Sequence, residues 1–257
     1  MGIGLEASLA AAAAFAAGVI NALAGGGTLV TFPALTALGL TAITANTTNT
    51  VALCPGYFGG TVAQRRDLAG QGRRVALLTT SGALGGTLGG VLLLATDERL
   101  FRALVPWLLL VASLLLAVQG RVRAWITRRR PADGSRRSEA WVALPVFLAA
   151  IYGGYFGAGL GVVLLATLAL ACDDTLARLN AVKQTISLAV NVAAALLFVA
   201  RGPLDWPIVA VMAGGSLLGG TVGGRLASRI RPGLLRAIAI GAGLVASAYY
   251  FAKLCRS

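Results

Sequence analysis

The sequence predicts an all-α membrane protein, a polytopic helix bundle of two inverted five-segment repeats, each with a short or re-entrant helix that glycine breaks. Three observations lead to this fold class. The chain has 257 residues, of which 57% are hydrophobic and only 12% charged, and its mean hydropathy is +0.81, which is typical of an integral membrane protein. Its apolar residues fall in runs of membrane-spanning length, and the second half of the chain repeats the first.

Ten apolar segments account for most of the chain. Most are long enough, or nearly so, to cross the hydrocarbon core as helices. Two of them, residues 28–40 and 161–172, are clearly too short, and each follows a glycine-rich element. The predicted segments are residues 5–23, 28–40, 42–64, 75–95, 100–119, 141–156, 161–172, 176–200, 206–228 and 234–251.

The two halves match at a single offset without a gap. Asn46 lies 134 residues before Asn180, and at the same offset Leu84-Gly85-Gly86-Thr87 meets Leu218-Gly219-Gly220-Thr221. One ungapped offset across most of both halves argues against a chance match of low-complexity sequence. We therefore divide the chain into a first transmembrane repeat, residues 1–120, a basic linker, residues 121–139, and a second transmembrane repeat, residues 140–257.

Basic residues are distributed unevenly between the two ends of the predicted helices. Of the 22 lysines and arginines, 16 fall at one end, 5 fall at the other, and Lys183 lies inside a segment. Cytoplasmic loops carry such an excess of positive charge, so we expect a cytoplasmic linker and a C-terminus outside. Because each repeat has an odd number of segments, the repeats would then be inverted. Topology control accounts for the net charge of +13, and we expect no nucleic-acid partner.

A polar stripe interrupts the apolar segment 176–200. Lys183 is its only basic residue beyond the first turn. An ammonium group in hydrocarbon costs about 2.5–3.5 kcal/mol, so Lys183 should face protein or a water-filled cavity. Asn180 and Gln184 are one helical turn apart on the same face. No Asp or Glu lies in the core of a predicted segment, so we expect Lys183 to bind a small anion directly.

A second polar run occupies the matching position in the first repeat. Residues 46–50, Asn-Thr-Thr-Asn-Thr, correspond to residues 180–184, so that Asn49 takes the place of Lys183 and Thr50 that of Gln184. Interhelical hydrogen bonding alone, at about 0.6 kcal/mol per bond, is one explanation. Two runs at equivalent positions favour instead a shared site near the middle of the membrane. We expect Asn46 or Asn49 to lie on the opposite wall of a cavity from Lys183.

Glycine-rich elements precede both short segments. Gly25, Gly26 and Gly27 come before the first, and Gly159 and Gly161 lie at the start of the second. Glycine lets the backbone approach a ligand closely, and the free N–H groups at the start of a helix attract anions. A tight turn without a ligand explains the glycines equally well, but the short helices that follow favour binding. We expect both short segments to begin within the membrane, near one another.

Other patterns bear on packing and chemistry. Small residues recur at every fourth position in two segments, which predicts close packing within the monomer; they are Gly82, Gly86 and Gly90, matched by Ser216, Gly220 and Gly224. The chain has no His, no CxxC pair and no GxxxxGK[ST] motif. We therefore expect no cofactor, no resident metal and no enzyme activity.

These motifs together resemble the TauE/SafE family, also called the toluene sulfonate uptake permease family. The resemblance rests in the first half on residues 18–28, Pro33 and Asn46-Thr47-Thr48-Asn49, and in the second on residues 153–159 and Asn180-Ala181-Val182-Lys183. It covers nearly the whole chain. It implies a bacterial inner-membrane transporter of small anions, often organosulfur compounds such as sulfite, sulfoacetate or taurine-like sulfonates, with proton coupling commonly supposed.

We therefore predict a secondary active transporter that works by alternating access and moves a small anion, which we expect to be an organosulfur compound. An anion channel or small-solute pore is the alternative, and it would need a continuous polar path. Expected partners are the anion, the lipid bilayer and a coupling ion, with a proton and a sodium ion both open. The oligomeric state is open between monomer and homodimer. The predicted binding residues are Lys183, Asn46, Asn49, Thr50, Asn180, Gln184, Gly25, Gly26, Gly27, Thr28, Gly159 and Gly161.

Overall fold

The protein is described from a computed structural model, which covers residues 3–128, 140–172, 174–227, 229 and 233–254. Ten α-helices and one 3-10 turn, Arg65–Leu68, contain most of these residues. The helices are α1 (Ile3–Leu23), α2 (Thr28–Ala37), α3 (Ala42–Ala63), α4 (Gly72–Ala95), α5 (Glu98–Arg128), α6 (Ala140–Tyr155), α7 (Leu160–Ala171), α8 (Leu176–Arg201), α9 (Trp206–Leu226) and α10 (Gly233–Leu254).

Six of these helices, among the residues described, are long and apolar enough to cross a membrane: α1, α4, α5, α8, α9 and α10. Helix α3 has 22 residues, but its Asn and Thr side chains make it less apolar. Helices α2, α6 and α7 are apolar and shorter. Length and composition therefore describe an all-helical, multi-pass membrane protein.

The ten helices correspond to the ten predicted segments, with differences at some ends. Helix α2 ends at Ala37, before the predicted residue 40, because Gly39 turns the chain with a φ of +96°. Helix α5 continues to Arg128, past its predicted end at residue 119 and into the predicted linker. Arg and Ala favour helix there. Residues 129–139 of the linker and residues 255–257 lie outside the described residues.

Glycines form the closest helix contacts. Helix α9 packs on both α1 and α3, and α4 packs on both α6 and α8. A Cβ added to Gly220 would overlap the carbonyl oxygen of Gly56, and one added to Gly154 would overlap that of Gly86. Small residues allow helix backbones to approach in this way within a membrane. The small residues at four-residue spacing thus pack within the monomer.

The contacts give the relative directions of these helices. Ala11 lies against Gly215 and Val19 against Gly223, so residues later in α1 contact residues later in α9. The two helices are therefore parallel. Contacts between α3 and α9 follow the same order, as do those of α4 with α6 and with α8. The helices of each group therefore run in one direction.

Helices α3 and α8 cross in opposite directions. Gly60 lies against the Gln184 side chain, whereas Gln64, further along α3, bonds to Asn180, which is earlier on α8. Helices α1, α3 and α9 therefore run opposite to α4, α6 and α8.

A carboxylate caps the start of α3. Glu98 Oε1 accepts a hydrogen bond from the backbone N–H of Ala42 at 2.7 Å, and Oε2 accepts one from Ile43 at 3.0 Å. Both N–H groups lack an intrahelical acceptor, and the negative charge suits this end of the helix. Arg102 is 3.4 Å from the same carboxylate and half exposed.

We expect Glu98→Ala to lower the free energy of unfolding by about 0.5–2 kcal/mol, because two N–H groups lose their acceptor. Arg102→Gln is the control, and its effect should stay below about 1 kcal/mol, since exposed ion pairs contribute little. Thermal unfolding of the detergent-purified variants measures both. Equal losses would show that the ion pair, and not the cap, carries the stabilisation.

Candidate functional site

Lys183 lies inside the bundle on α8, with 1% of the residue exposed. Its Nζ donates a hydrogen bond to the backbone carbonyl oxygen of Asn21 at 3.2 Å. Asn21 is near the carboxyl end of α1, where the helix dipole is negative, so α1 stabilises the ammonium group. Lys183 therefore faces protein, as its cost in lipid requires.

The two glycine elements meet beside Lys183. Gly25, which has a φ of +89°, lies directly against Gly161, so that a Cβ on Gly25 would come within 2.6 Å of the Gly161 Cα. A Cβ on Gly161 would in turn come 3.4 Å from Lys183 Cδ. The start of α7 is thus adjacent to the lysine side chain. The prediction that the two elements lie near one another is confirmed.

Asn180 joins the two halves one turn from Lys183. Its Nδ2 donates to the carbonyl oxygen of Ala22 at 3.2 Å and to Gln64 Oε1 at 2.6 Å. Because both amide hydrogens are used, Asn180 holds α8 to α1 and α3 and has no donor left for an anion. Gln184 differs, since it is fully buried and neither of its amide atoms has a hydrogen-bond partner among the described residues.

Sequence reasoning missed three amides of this cluster, Asn21, Gln64 and Gln119. Asn21 Oδ1 accepts from the Gly27 N–H at 2.7 Å, and Gln119 Nε2 donates to the Ala24 carbonyl oxygen at 2.7 Å. Asn21 Nδ2 and Gln119 Oε1 are buried without a partner in the described part of the chain. The available signal was that Asn21 precedes the glycines and that the two glutamines end predicted segments.

Asn46 and Asn49 form a second polar cluster on α3. Asn46 Nδ2 donates to the carbonyl oxygen of Tyr155, at the end of α6, at 2.8 Å. Asn49 Nδ2 is 3.4 Å from Thr28 Oγ1, and the Thr50 hydroxyl donates to the Asn46 carbonyl oxygen at 3.0 Å. The Oδ1 atoms of both asparagines lack a hydrogen-bond partner within the described ranges.

The second cluster reaches the start of α2, where Asn49 meets Thr28, whereas Lys183 meets Asn21 at the end of α1. Gly60 lies against Gln184 at the crossing of α3 and α8, and Asn49 is roughly 16 Å nearer the start of α3 at 1.5 Å per residue. The backbones of Asn49 and Lys183 are therefore apart along the helix axes, because α3 and α8 cross in opposite directions. A shared cavity between their side chains stays a prediction.

An ion-pair cluster joins the halves at the arginine-rich end of the bundle. The Asp174 carboxylate is 3.0 Å from an Arg74 nitrogen and 2.8 Å from Arg178 Nε. Arg178 also donates to the carbonyl oxygen of Ala69 at 3.0 Å. Arg178 lies between one and two turns before Lys183 on α8. These contacts therefore hold the two halves together on the side of Lys183 nearer the start of α8.

Two cavities, of about 560 and 530 Å³, lie away from these clusters. The first is lined by the α2–α3 connection and α10, and the second by parts of α3, α4 and α8. No predicted binding residue lines either cavity. Lys183 and Gln184 are buried within the bundle, at 1% and 0% exposed.

Apolar helices of spanning length around a buried ammonium group and buried amides define a multi-pass membrane protein with a polar interior. Residues 10–250 match the family described as Sulfite exporter TauE/SafE. The chain belongs to this family.

Curated relatives are similar over most of their length. The chain is 26% identical over 216 residues to a "Probable membrane transporter protein" of Haemophilus influenzae, which covers 82% of this chain and 81% of the relative. It is 26% identical over 242 residues to "Probable membrane transporter protein YfcA" of Escherichia coli, covering 91% and 86%. A Sinorhizobium relative, "Probable membrane transporter protein ORF9", is 27% identical over 225 residues, covering 84% and 80%. No solved structure matches the chain significantly. Family and relatives support a membrane transporter.

Proposed function

We propose that this protein is a secondary active transporter that moves a small anion across the bacterial inner membrane. The observation that carries the proposal is Lys183, a buried cation where the two glycine elements meet. A positive charge next to the start of α7 suits an anionic ligand that binds and is released during transport. The family description names a sulfite exporter, so the proposed substrates are sulfite and small sulfonates.

In this proposal Lys183 supplies the charge and nearby groups supply hydrogen-bond donors. Gln184 Nε2 and Asn21 Nδ2 are buried donors with no partner in the described part of the chain. At the start of α7, the N–H groups of Leu160 and Val162 already donate to the carbonyl oxygens of Gly157 and Gly159, which leaves the Gly161 N–H as the backbone donor for the anion. The small size of Gly25 and Gly161 allows the two glycine elements to pack directly against each other beside Lys183. Water-excluded donors of this kind favour an oxyanion over a bulky neutral solute.

We also propose that the two halves are inverted repeats that rock against each other to expose the site alternately. The directions of the helices support this, because α1 and α3 run opposite to their counterparts α6 and α8. The pairings support it too, since α1 with α9 corresponds to α6 with α4, and α3 with α9 corresponds to α8 with α4. Opening at the arginine-rich end would require the bonds of Asp174 and Asn180 to break.

The proposed orientation has the linker in the cytoplasm and the C-terminus outside, because basic residues divide 16 to 5 between the two ends. We expect alkaline phosphatase fused after Ser257 to be active and green fluorescent protein fused there to be dark. The same reporters inserted between residues 129 and 139 should give the opposite pattern. A cytoplasmic C-terminus would contradict the inverted arrangement.

A thermal-shift screen of the purified protein tests the proposed substrate class. We expect sulfite, thiosulfate or a small sulfonate to raise the unfolding temperature in a saturable way, with stabilisation of about 2.7 kcal/mol at a hundred times the Kd. Sodium chloride at equal ionic strength is the control. A shift with carboxylates alone would indicate a carboxylate substrate in place of a sulfur oxyanion. The absence of a shift with any small anion would contradict the proposal.

A further inference from the structure

Helices α1 and α6 occupy equivalent places in the two halves, and each ends beside a polar cluster. At the end of α1, Lys183 Nζ donates to the carbonyl oxygen of Asn21. At the end of α6, the carbonyl oxygen of Tyr155 accepts from Asn46. Tyr155 is the counterpart of Asn21, and Asn49 is the counterpart of Lys183, at the offset of 134 residues. The repeat therefore places the Lys183 ammonium group in one half and the uncharged Asn49 amide at the equivalent position in the other half.

The asparagines at the end of α6 leave acceptors without donors. Asn46 and Asn49 are 1% and 2% exposed, and the Oδ1 atom of each lacks a partner among the residues described. The orientation of the Asn46 amide follows from its bond to Tyr155, because only the NH2 group can donate to a carbonyl oxygen. Buried polar atoms without partners call for a bound water or ion.

The surroundings of these acceptors favour a cation. The asparagines are three residues apart and so share a face of α3. Helix α6 ends at Tyr155, so its last carbonyl groups and the negative end of its dipole are directed to this place. The hydroxyl oxygen of Thr28 lies 3.4 Å from the Asn49 amide. Carbonyl oxygens at the ends of discontinuous helices bind coupling cations in transporters of inverted-repeat design.

We propose that this cluster binds a monovalent cation of the size of sodium, with Asn46 Oδ1, Asn49 Oδ1 and the carbonyl end of α6 as ligands. Protein sites for Ca²⁺ and Mg²⁺ rely on carboxylates, and residues 46–50 supply none, so the bound ion is monovalent. Asparagine amides and threonine hydroxyls do not titrate near neutral pH, so the ion is not a proton. Sodium binding at this cluster does not depend on the proposed transport function. The role of the bound ion as the coupling ion does rest on that function.

Thermal unfolding with sodium chloride in place of choline chloride, at constant ionic strength, tests the site. Sodium should raise the unfolding temperature of the wild-type protein in a saturable way. Asn46→Ala should weaken sodium binding about tenfold to hundredfold, as expected for the loss of a ligand to a charged group. Asn49→Lys supplies an internal ammonium, as Lys183 does in the other half, and should abolish the sodium dependence.

Two variants keep the outcomes separate. Asn191→Ala removes another buried amide, whose Nδ2 bonds to the Ser187 carbonyl oxygen at 2.8 Å, and should retain the sodium shift. Lys183→Met should lose the anion shift and retain the sodium shift. If Asn46→Ala does not fold, Asn49→Ala removes the other amide oxygen and should weaken sodium binding in the same way.

The cation site is overturned if wild-type protein shows no shift specific to sodium, or if Asn49→Lys folds and keeps its sodium dependence. An unchanged sodium affinity in Asn46→Ala, or in Asn49→Ala where Asn46→Ala does not fold, also overturns it. A sodium shift without any anion shift overturns the proposed anion transport and leaves the cation site intact.

Discussion

Lys183→Met should weaken anion binding about tenfold to hundredfold and leave the protein folded. A charge-assisted hydrogen bond to an anion contributes about 1.5–3 kcal/mol, which corresponds to that loss of affinity. Methionine keeps much of the length and volume of the lysine stem. The substitution also removes a buried charge, whose desolvation is costly, so the loss of the bond to the Asn21 carbonyl oxygen should cost little stability.

Binding and uptake should be measured together with the folded yield of each variant. Lys253→Met removes an exposed lysine on α10 and should leave anion binding unchanged. Asn180→Ala should weaken binding less than Lys183→Met, because its amide hydrogens already bond to Ala22 and Gln64. If Lys183→Met transports normally, or fails only because it misfolds, the role of Lys183 is structural.

Gly220→Ala should lower the free energy of unfolding by about 1–3 kcal/mol, as overpacking does in a close-packed interior. The added Cβ would overlap the carbonyl oxygen of Gly56, and neither backbone can move without separating α9 from α3. Gly214→Ala is a matched control on the same helix, since its Cβ would meet nothing within 4 Å. That change should be neutral or stabilising, because alanine favours helix over glycine by about 1 kcal/mol.

Thermal unfolding and the monodisperse yield after size-exclusion chromatography distinguish the two variants. Equal behaviour would mean that the contact between α3 and α9 does not limit stability.

The helices were predictable because each is an apolar run of about membrane length, and polar or glycine-rich residues separate the runs. The contact between Gly25 and Gly161 was also predictable, since both repeats carry a glycine element at the same place. The end of α5 was not, because Gly120 and three arginines interrupt the apolar run after residue 119, although the helix continues through them. Arg residues in water extend a helix as readily as they end one.

The separation of the polar clusters could not be predicted from residue spacing. Asn49 and Lys183 are equivalent in the repeat, but equivalence says nothing about the direction in which α3 and α8 cross. Hydrogen bonds to backbone carbonyl groups, such as that of Asn46 to Tyr155, cannot be predicted from residue types, because every residue has a carbonyl group. Gln64 ended a predicted segment and therefore resembled an interfacial residue, although it turns inward to Asn180.

Counterflow in proteoliposomes tests most directly whether this protein is a carrier of small anions. Vesicles loaded with an unlabelled sulfonate or sulfite are diluted into a trace of the same anion labelled with radioactive sulfur. An alternating-access carrier should accumulate the label transiently above its equilibrium level, and Lys183→Met vesicles should not. Equilibration without an overshoot would indicate a channel, and an overshoot that Lys183→Met leaves unchanged would contradict the assignment of the anion site to Lys183.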